Sequence, residues 1–227
     1  MKRTTFLLAF AIAALFVFSN FTGTEAVNKS FAERFVSFDD KKNKQDIDYT
    51  GTYSFDKAHS FIGFKVKHLG LIDVPGYFRD FTGTVNYDAK NVEKSSVEFT
   101  AKVTSVDTGV AGRDKHLRTA DFFEVEKFPD LTFKSSKVEK KGKNLLVTGD
   151  FTLKGVTKQI TFPVQIAGFL PPDERGGGKM GITAETSINR RDYGVNYGST
   201  LPNGVASLSD NVQINLQIEA IRPKPQQ

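Results

Sequence analysis

From Tyr49 onward the chain alternates apolar and polar positions with period two and keeps that rhythm almost to its C terminus. Tyr49, Gly51, Tyr53 and Phe55 fall on one face; then Ile62, Phe64, Val66 and His68 fall in phase, with Lys65 and Lys67 opposite. Successive side chains of a strand point to opposite faces of the sheet, so this pattern predicts half-buried β-strands. The same reading places further strands near 81–87, 97–103, 131–133, 145–153, 160–166, 180–188 and 212–220. Between them lie turn-forming clusters: "YDAKN" at 87–91, "KKGKN" at 140–144, "LKGVTK" at 153–158 and "PPDERGGGK" at 171–179. Connections this short join antiparallel neighbours.

Two stretches break the alternation. "GLIDVPGY" at 70–77 reads as one helical turn or a lid, and the long interval 107–129 contains "RDKHLRTADFF", which predicts a short helical segment near 112–124. Everything else is sheet, so the fold class is all-β. Strands of about ten residues, with Gly63, Gly83, Gly149 and Gly168 inside them, favour an eight-stranded antiparallel barrel over a sandwich, because closed sheets bend at glycines. Such a barrel is just wide enough to be filled by side chains or to hold one small ligand. Its predicted lining is Ile62, Phe64, Val66, Phe81, Phe99, Val103, Phe133, Phe151, Ile160, Phe162, Ile182 and Ile214. A cavity among these would be apolar and would take a greasy chain or ring.

Composition adds limits to this picture. Phenylalanine occurs 21 times, tryptophan and cysteine not at all, so the core rests on phenylalanine and no disulfide is available. Lys2 and Arg3 precede thirteen unbroken apolar residues at 6–18, the layout of a secretory signal peptide ending near residue 26. Thirteen residues are too few to span a bilayer. The expected location is therefore periplasmic or secreted, after cleavage. Residues 27–48 read as a polar spacer, in which Phe31, Phe35 and Phe38 could form one apolar helical stripe, and 223–227 as a frayed tail. Removing 1–26 lowers the net charge from +5 to +4, a mildly basic balance that does not name nucleic acid as a partner. Base stacking needs exposed aromatics, whereas here the phenylalanines alternate with lysines and turn inward.

"AGRDKHLRTADFF" at 111–123 gathers the candidate chemistry. Asp114 and His116 are a conceivable acid–base pair, and Asp114 and Arg118, four apart, would pair on one helical face. The structural alternative is that Leu117, Phe122 and Phe123 plug one end of the barrel while the charges satisfy the loop. His68, in phase with the inward residues, and Arg113, His116 and Arg118 are the candidates for a ligand head group at the mouth. Arg190 or Arg191 of "NRRDYG" would meet acids of the long loop. No metal site is expected: His59 and His68 stand roughly 30 Å apart along a strand. "GGGK" at 176–179 lacks the Walker pattern, since Met180 follows the lysine.

The stretches "DKAHSFIGFKVKHLG", "GYFRDFTGTVNYD", "RDKHLRTADFFEVEKFPDLTFKSS", "GDFTLKGVTKQITFPV" and "INRRDYGV" together resemble the YceI-like proteins, in that family's order, over about 49–221. The resemblance implies a lipocalin-like barrel in a secreted, mostly bacterial protein that holds a polyisoprenoid, with no agreed catalytic residue. It therefore implies a bound isoprenoid or quinone lipid in place of a cofactor and an amphiphilic lipid as partner; transient membrane contact is a separate expectation beside it. A homodimer that shields the open end fits such a barrel, although no exposed apolar stripe demands it. The other readings are an enzyme on a hydrophobic substrate using Asp114 and His116, and a structural or stress-related protein with a solid barrel.

Overall fold

The computed structural model describes residues 47–173 and 177–224; the expected signal peptide, nearly all of the 27–48 spacer with its phenylalanine stripe, part of the 171–179 turn and the end of the tail lie outside them. One sheet contains β1 (Gly51–Phe55), β2 (Phe61–His68), β3 (Ile72–Phe78), β4 (Phe81–Tyr87), β5 (Ser96–Lys102), β6 (Val106–Asp107), β7 (Asp130–Lys141), β8 (Asn144–Leu153), β9 (Val156–Leu170), β10 (Lys179–Asn189) and β11 (Leu208–Ile221). The helix α1 (Ala111–Leu117) follows β6.

Several of these strands are halves of longer staves. β1 and β2 both run along β11, and they pair with β4 and β3 respectively, so β1–β2 and β3–β4 are two interrupted staves; β5–β6 is a third. The three interruptions line up. Arg79 N–H donates to Ser105 O at 3.2 Å, Asp80 N–H to Ser105 Oγ at 2.9 Å, and Lys57 Nζ meets Asp80 Oδ1 at 2.6 Å. Counted by stave, the sheet is an eight-stranded antiparallel barrel in chain order, closed where Phe55 pairs with Ala220 and Phe64 with Ile214. This is the all-β barrel with one short helix that the alternation predicts.

Residues 70–77 are the exception: they form the turn and most of β3, not a helical turn or lid. Leu69 and Gly70, at φ 54° and 70°, make a tight turn that returns the chain onto β2. Pro75 fits this strand because the outer edge of β3 is bonded only at Tyr77 and Phe78, so its missing N–H leaves no gap in a ladder.

Two bulges keep the apolar side chains inside. Ser135 pairs with Gly149 and Lys137 with Thr148, leaving Ser136 as an extra residue that brings Val138 into line with Leu131 and Phe133. Opposite Gly181 and Ile182, Ala167 is likewise extra, and Phe169 returns to the core side. In the middle of the barrel Phe99 packs on Phe133 and Phe133 on Phe162, with ring centroids 5.7 and 5.2 Å apart. Each such buried ring contributes roughly 1.5–3 kcal/mol. Gly76 makes room for the Phe64 ring, whose nearest atom would lie 2.2 Å from a Cβ there.

Candidate functional site

Toward the end of the barrel that carries α1, two seams part. β3 loses its neighbour beyond Tyr77, and β9 pairs with β10 only over 164–170. The second seam is filled by Tyr193, buried and edge-on to Phe151 at 5.4 Å. The first is crossed by α1 and the turns after it, where Phe122 is buried and Phe123 lies 5.9 Å from Phe78. Beneath this cover lies a cavity of about 330 Å³. Phe64, Val66, Phe99, Leu131, Phe151 and Ile214 form much of its wall, and Leu117, Phe122 and Phe123 close it from above. A smaller cavity, about 70 Å³, lies beyond Phe99 and Leu216, which face both.

The predicted lining divides accordingly. Ile62, Phe64, Val66, Phe99, Phe151 and Ile214 line the larger cavity, and Phe133, Phe162 and Ile182 line the smaller one. Phe81, Val103 and Ile160 line neither. Phe81 and Val103 are packed into solid core beside the stave interruptions, and Ile160 is a half-buried residue of β9 packed against the core.

Polar side chains reach the larger cavity only near its mouth: His68, Thr108, Arg113, His116, Arg190 and Tyr197. Their hydrogen bonds separate those that are spent from those that are free. Arg118 is spent, and it does not line the cavity: its guanidinium donates to Thr104 O at 2.7 Å and Val106 O at 2.8 Å, anchoring the covering turns to the barrel. Asp114 is 8% exposed and accepts from Thr108 N–H at 2.9 Å and from the Thr108 hydroxyl. The expected Asp114–Arg118 ion pair is therefore absent, because each side chain is drawn to loop backbone or to Thr108. Asp114 does not meet His116 either; two apart on a helix, they face different ways. His116 Nε2 instead pairs with Asp121 Oδ2 at 2.8 Å, while its ring stands edge-on to Phe122 and Tyr197.

Three groups keep capacity for a ligand, one of them the Tyr197 hydroxyl, which makes no hydrogen bond among the described residues. His68 makes no side-chain hydrogen bond among the described residues, and it is both exposed and part of the cavity wall. Arg113 donates from Nε and Nη2 to Thr108, at 2.7 and 2.9 Å, and leaves Nη1 unused. The mouth thus offers an imidazole, a phenol and half a guanidinium above an apolar chamber.

Arg190 takes a role the sequence does not reveal directly. It is 4% exposed, and its five N–H groups reach Ser209 O, Val195 O, Tyr197 O, Leu208 O and Asp210 Oδ1. Burial pulls its pKa down, and the Asp210 carboxylate partly restores it. Arg191 also pairs with Asp210, at 2.6 Å, so neither arginine meets the acids of the 107–129 loop. The signal was one of phase: Arg190 continues the inward set of Met180, Ile182, Ala184 and Ile188.

At the interruption between β1 and β2, Asp56, His59 and Glu219 place three ligand atoms of metal-binding types within 4.8 Å of one another. They are already partnered: His59 Nδ1 to Asp56 Oδ2 at 2.7 Å, and Glu219 to Lys179 at 2.6 Å. Among the described residues no helix is long and apolar enough to cross a membrane.

The model of the YceI-like domain matches residues 53–220. Protein YceI of Escherichia coli O17:K52:H18 is 38% identical over 174 residues, which are 76% of this chain and 87% of that protein. The crystal structure of the Campylobacter jejuni YCEI protein superposes with a TM-score of 0.61 at 35% identity, covering 74% of this chain and 95% of that one. A polyisoprenoid binding domain from Saccharophagus degradans, at 17% identity, shares the fold with a TM-score of 0.53 over 75% of this chain and 98% of its own. Barrel, order of motifs and matched span agree, and the chain belongs to the YceI-like family.

Proposed function

We propose that this protein is a secreted or periplasmic carrier that holds one polyisoprenoid, or a comparable long apolar lipid such as a quinone tail, with its chain in the large cavity and its polar end at His68 and Arg113. The observation that carries the reading is the cavity itself: about 330 Å³, walled by phenylalanine and aliphatic side chains, with polar groups only at its mouth. That volume falls within the range of small-molecule sites. The solved structure of a polyisoprenoid binding domain with the same fold supports the class of ligand. Burying a methylene contributes about 0.8 kcal/mol, so one five-carbon isoprene unit offers roughly 3–4 kcal/mol before ordering costs. A few units suffice, and the wall rather than the mouth sets affinity.

Geranylgeraniol binding, followed by native mass spectrometry, tests this division of labour. Phe64→Glu puts a charge in the wall and is expected to abolish binding, whereas His116→Ala removes a ring already engaged by Asp121 and is expected to change affinity by less than about threefold. Circular dichroism melts confirm that both variants are folded. The opposite ranking would show that polar chemistry at the mouth, not apolar burial, governs the site.

A further inference from the structure

We propose that the rim of the large cavity is a membrane-docking surface, fitted to a bilayer leaflet that carries anionic phospholipid. A soluble protein covers most large apolar side chains, yet four exposed ones gather where the cavity opens. Leu71 and Ile72, at 76% and 63% exposure, form the tip of the β2–β3 turn; Val110 precedes α1; and Tyr197 stands beside His116. The cavity lining places them: Leu71 and Ile72 stand between the lining residues His68 and Val74, Val110 stands between Thr108 and Arg113, and Tyr197 lines the cavity itself. On its other flank the turn meets the loop after Tyr197, through Leu69 N–H to Ser207 O at 3.0 Å.

The tip is held rigidly in its outward position. Leu69 occupies the left-handed region at φ 54°, uncommon for a bulky residue, and its bond to Ser207 maintains it there. Charge follows the same geography. The rim acids Asp73 and Asp107 are matched by Lys67 and Arg79, Asp121 shares a hydrogen bond with His116, and Asp114 is buried against Thr108. Arg113 and Lys115 remain without a carboxylate partner among the described residues. Exposed apolar residues flanked by uncompensated cations are what an interfacial surface presents to anionic lipid. A docked rim would let a lipid chain pass from leaflet to cavity without crossing water. The surface's purpose rests on the lipid-holding reading; its geometry does not.

The chain lacks tryptophan, so a single introduced one reports on its own site. Full-length Leu71→Trp, Val110→Trp and Leu170→Trp are mixed with vesicles of phosphatidylcholine and phosphatidylglycerol in which brominated phosphatidylcholine is the quencher. Leu170, also exposed, ends β9 opposite Lys179, at the other end of the barrel, and serves as control. The expected result is blue-shifted emission quenched by roughly half or more at 71 and 110, with 170 unaffected. Adding Lys115→Gln is expected to weaken partitioning about fivefold, and phosphatidylcholine alone to bind more weakly still. Unchanged emission at 71 overturns the proposal, as does equal quenching at 170, which would mean attachment through another part of the chain. A blue shift at 71 that needs only higher protein concentration, without vesicles, assigns the rim to a second copy and also overturns it. Geranylgeraniol uptake from a vesicle-free dispersion separates the two claims: quenching at 71 without uptake keeps the surface and removes the lipid-holding reading, and the reverse removes the surface alone.

Discussion

Arg190 shows how much a single side chain can organise. Its guanidinium holds backbone carbonyls on both sides of the 195–209 loop, which carries Tyr197 and Leu208 into the cavity wall. Arg190→Ala leaves buried carbonyls unpaired and is expected to cost about 3 kcal/mol in urea unfolding. Arg190→Lys is expected to recover little of it, because an ammonium offers three donors where a rigid fork of five is used. A second residue-scale expectation concerns His59. The hydrogen bond and charge of Asp56 raise the His59 pKa above its ordinary 6.5, and the bond from His59 lowers that of Asp56 below 3.8. The histidine's contribution is complete below pH 6.5 and fades as pH rises through its raised value; the aspartate's is complete above 3.8 and fades as pH falls through its lowered value. The pair is thus at full strength between pH 3.8 and 6.5. An NMR titration is expected to place His59 above 6.5, and Asp56→Asn to return it toward that value. Phase alone places His68 and Arg190 on the inward face, but the Asp210 partner of Arg190 and the Thr108 partner of Arg113 depend on loop geometry that periodicity does not encode.

At the scale of elements, alternation fixes which residues face inward only while the register holds. Ser136 and Ala167 each add one residue to a strand, and neither stands out in composition, so the phase changes at Val138 and Phe169 come from pairing with β8 and β10. The interruptions at 79–80 and 103–105 are similarly silent, which is why Phe81 and Val103 read as lining yet belong to solid core. Residues 70–77 break the alternation yet form most of a strand, whose edge position tolerates Pro75. Glycines tell the reader more. Gly76 faces Phe64 across β2 and β3, and a methyl group at 76 would meet the ring at 2.2 Å. Gly76→Ala is expected to drive that ring into the cavity, cost about 1–3 kcal/mol, and weaken geranylgeraniol binding, whereas an alanine at the open position 112 should leave binding unchanged. Calorimetric titration of the two variants compares them directly.

For the whole molecule, the barrel combines a solid middle with a hollow end. Phe99, Phe133 and Phe162 stack across the centre and supply stability without disulfides, while the parted seams near α1 leave space that side chains do not fill. The barrel and the plugging role of Leu117, Phe122 and Phe123 were legible in the chain; the hollow was not, since a filled and an unfilled barrel share one apolar pattern. That hollow is the space a bound lipid would fill. The direct measurement is organic extraction of the full-length protein purified without detergent, with mass spectrometry of the extract against protein concentration. The expected extract contains a long isoprenoid or similar apolar lipid at about one molecule per barrel, lost from Phe64→Glu purified in parallel. Repeated preparations that release no such lipid, from a protein that also takes up none of the geranylgeraniol offered to it, would contradict the lipid-holding reading.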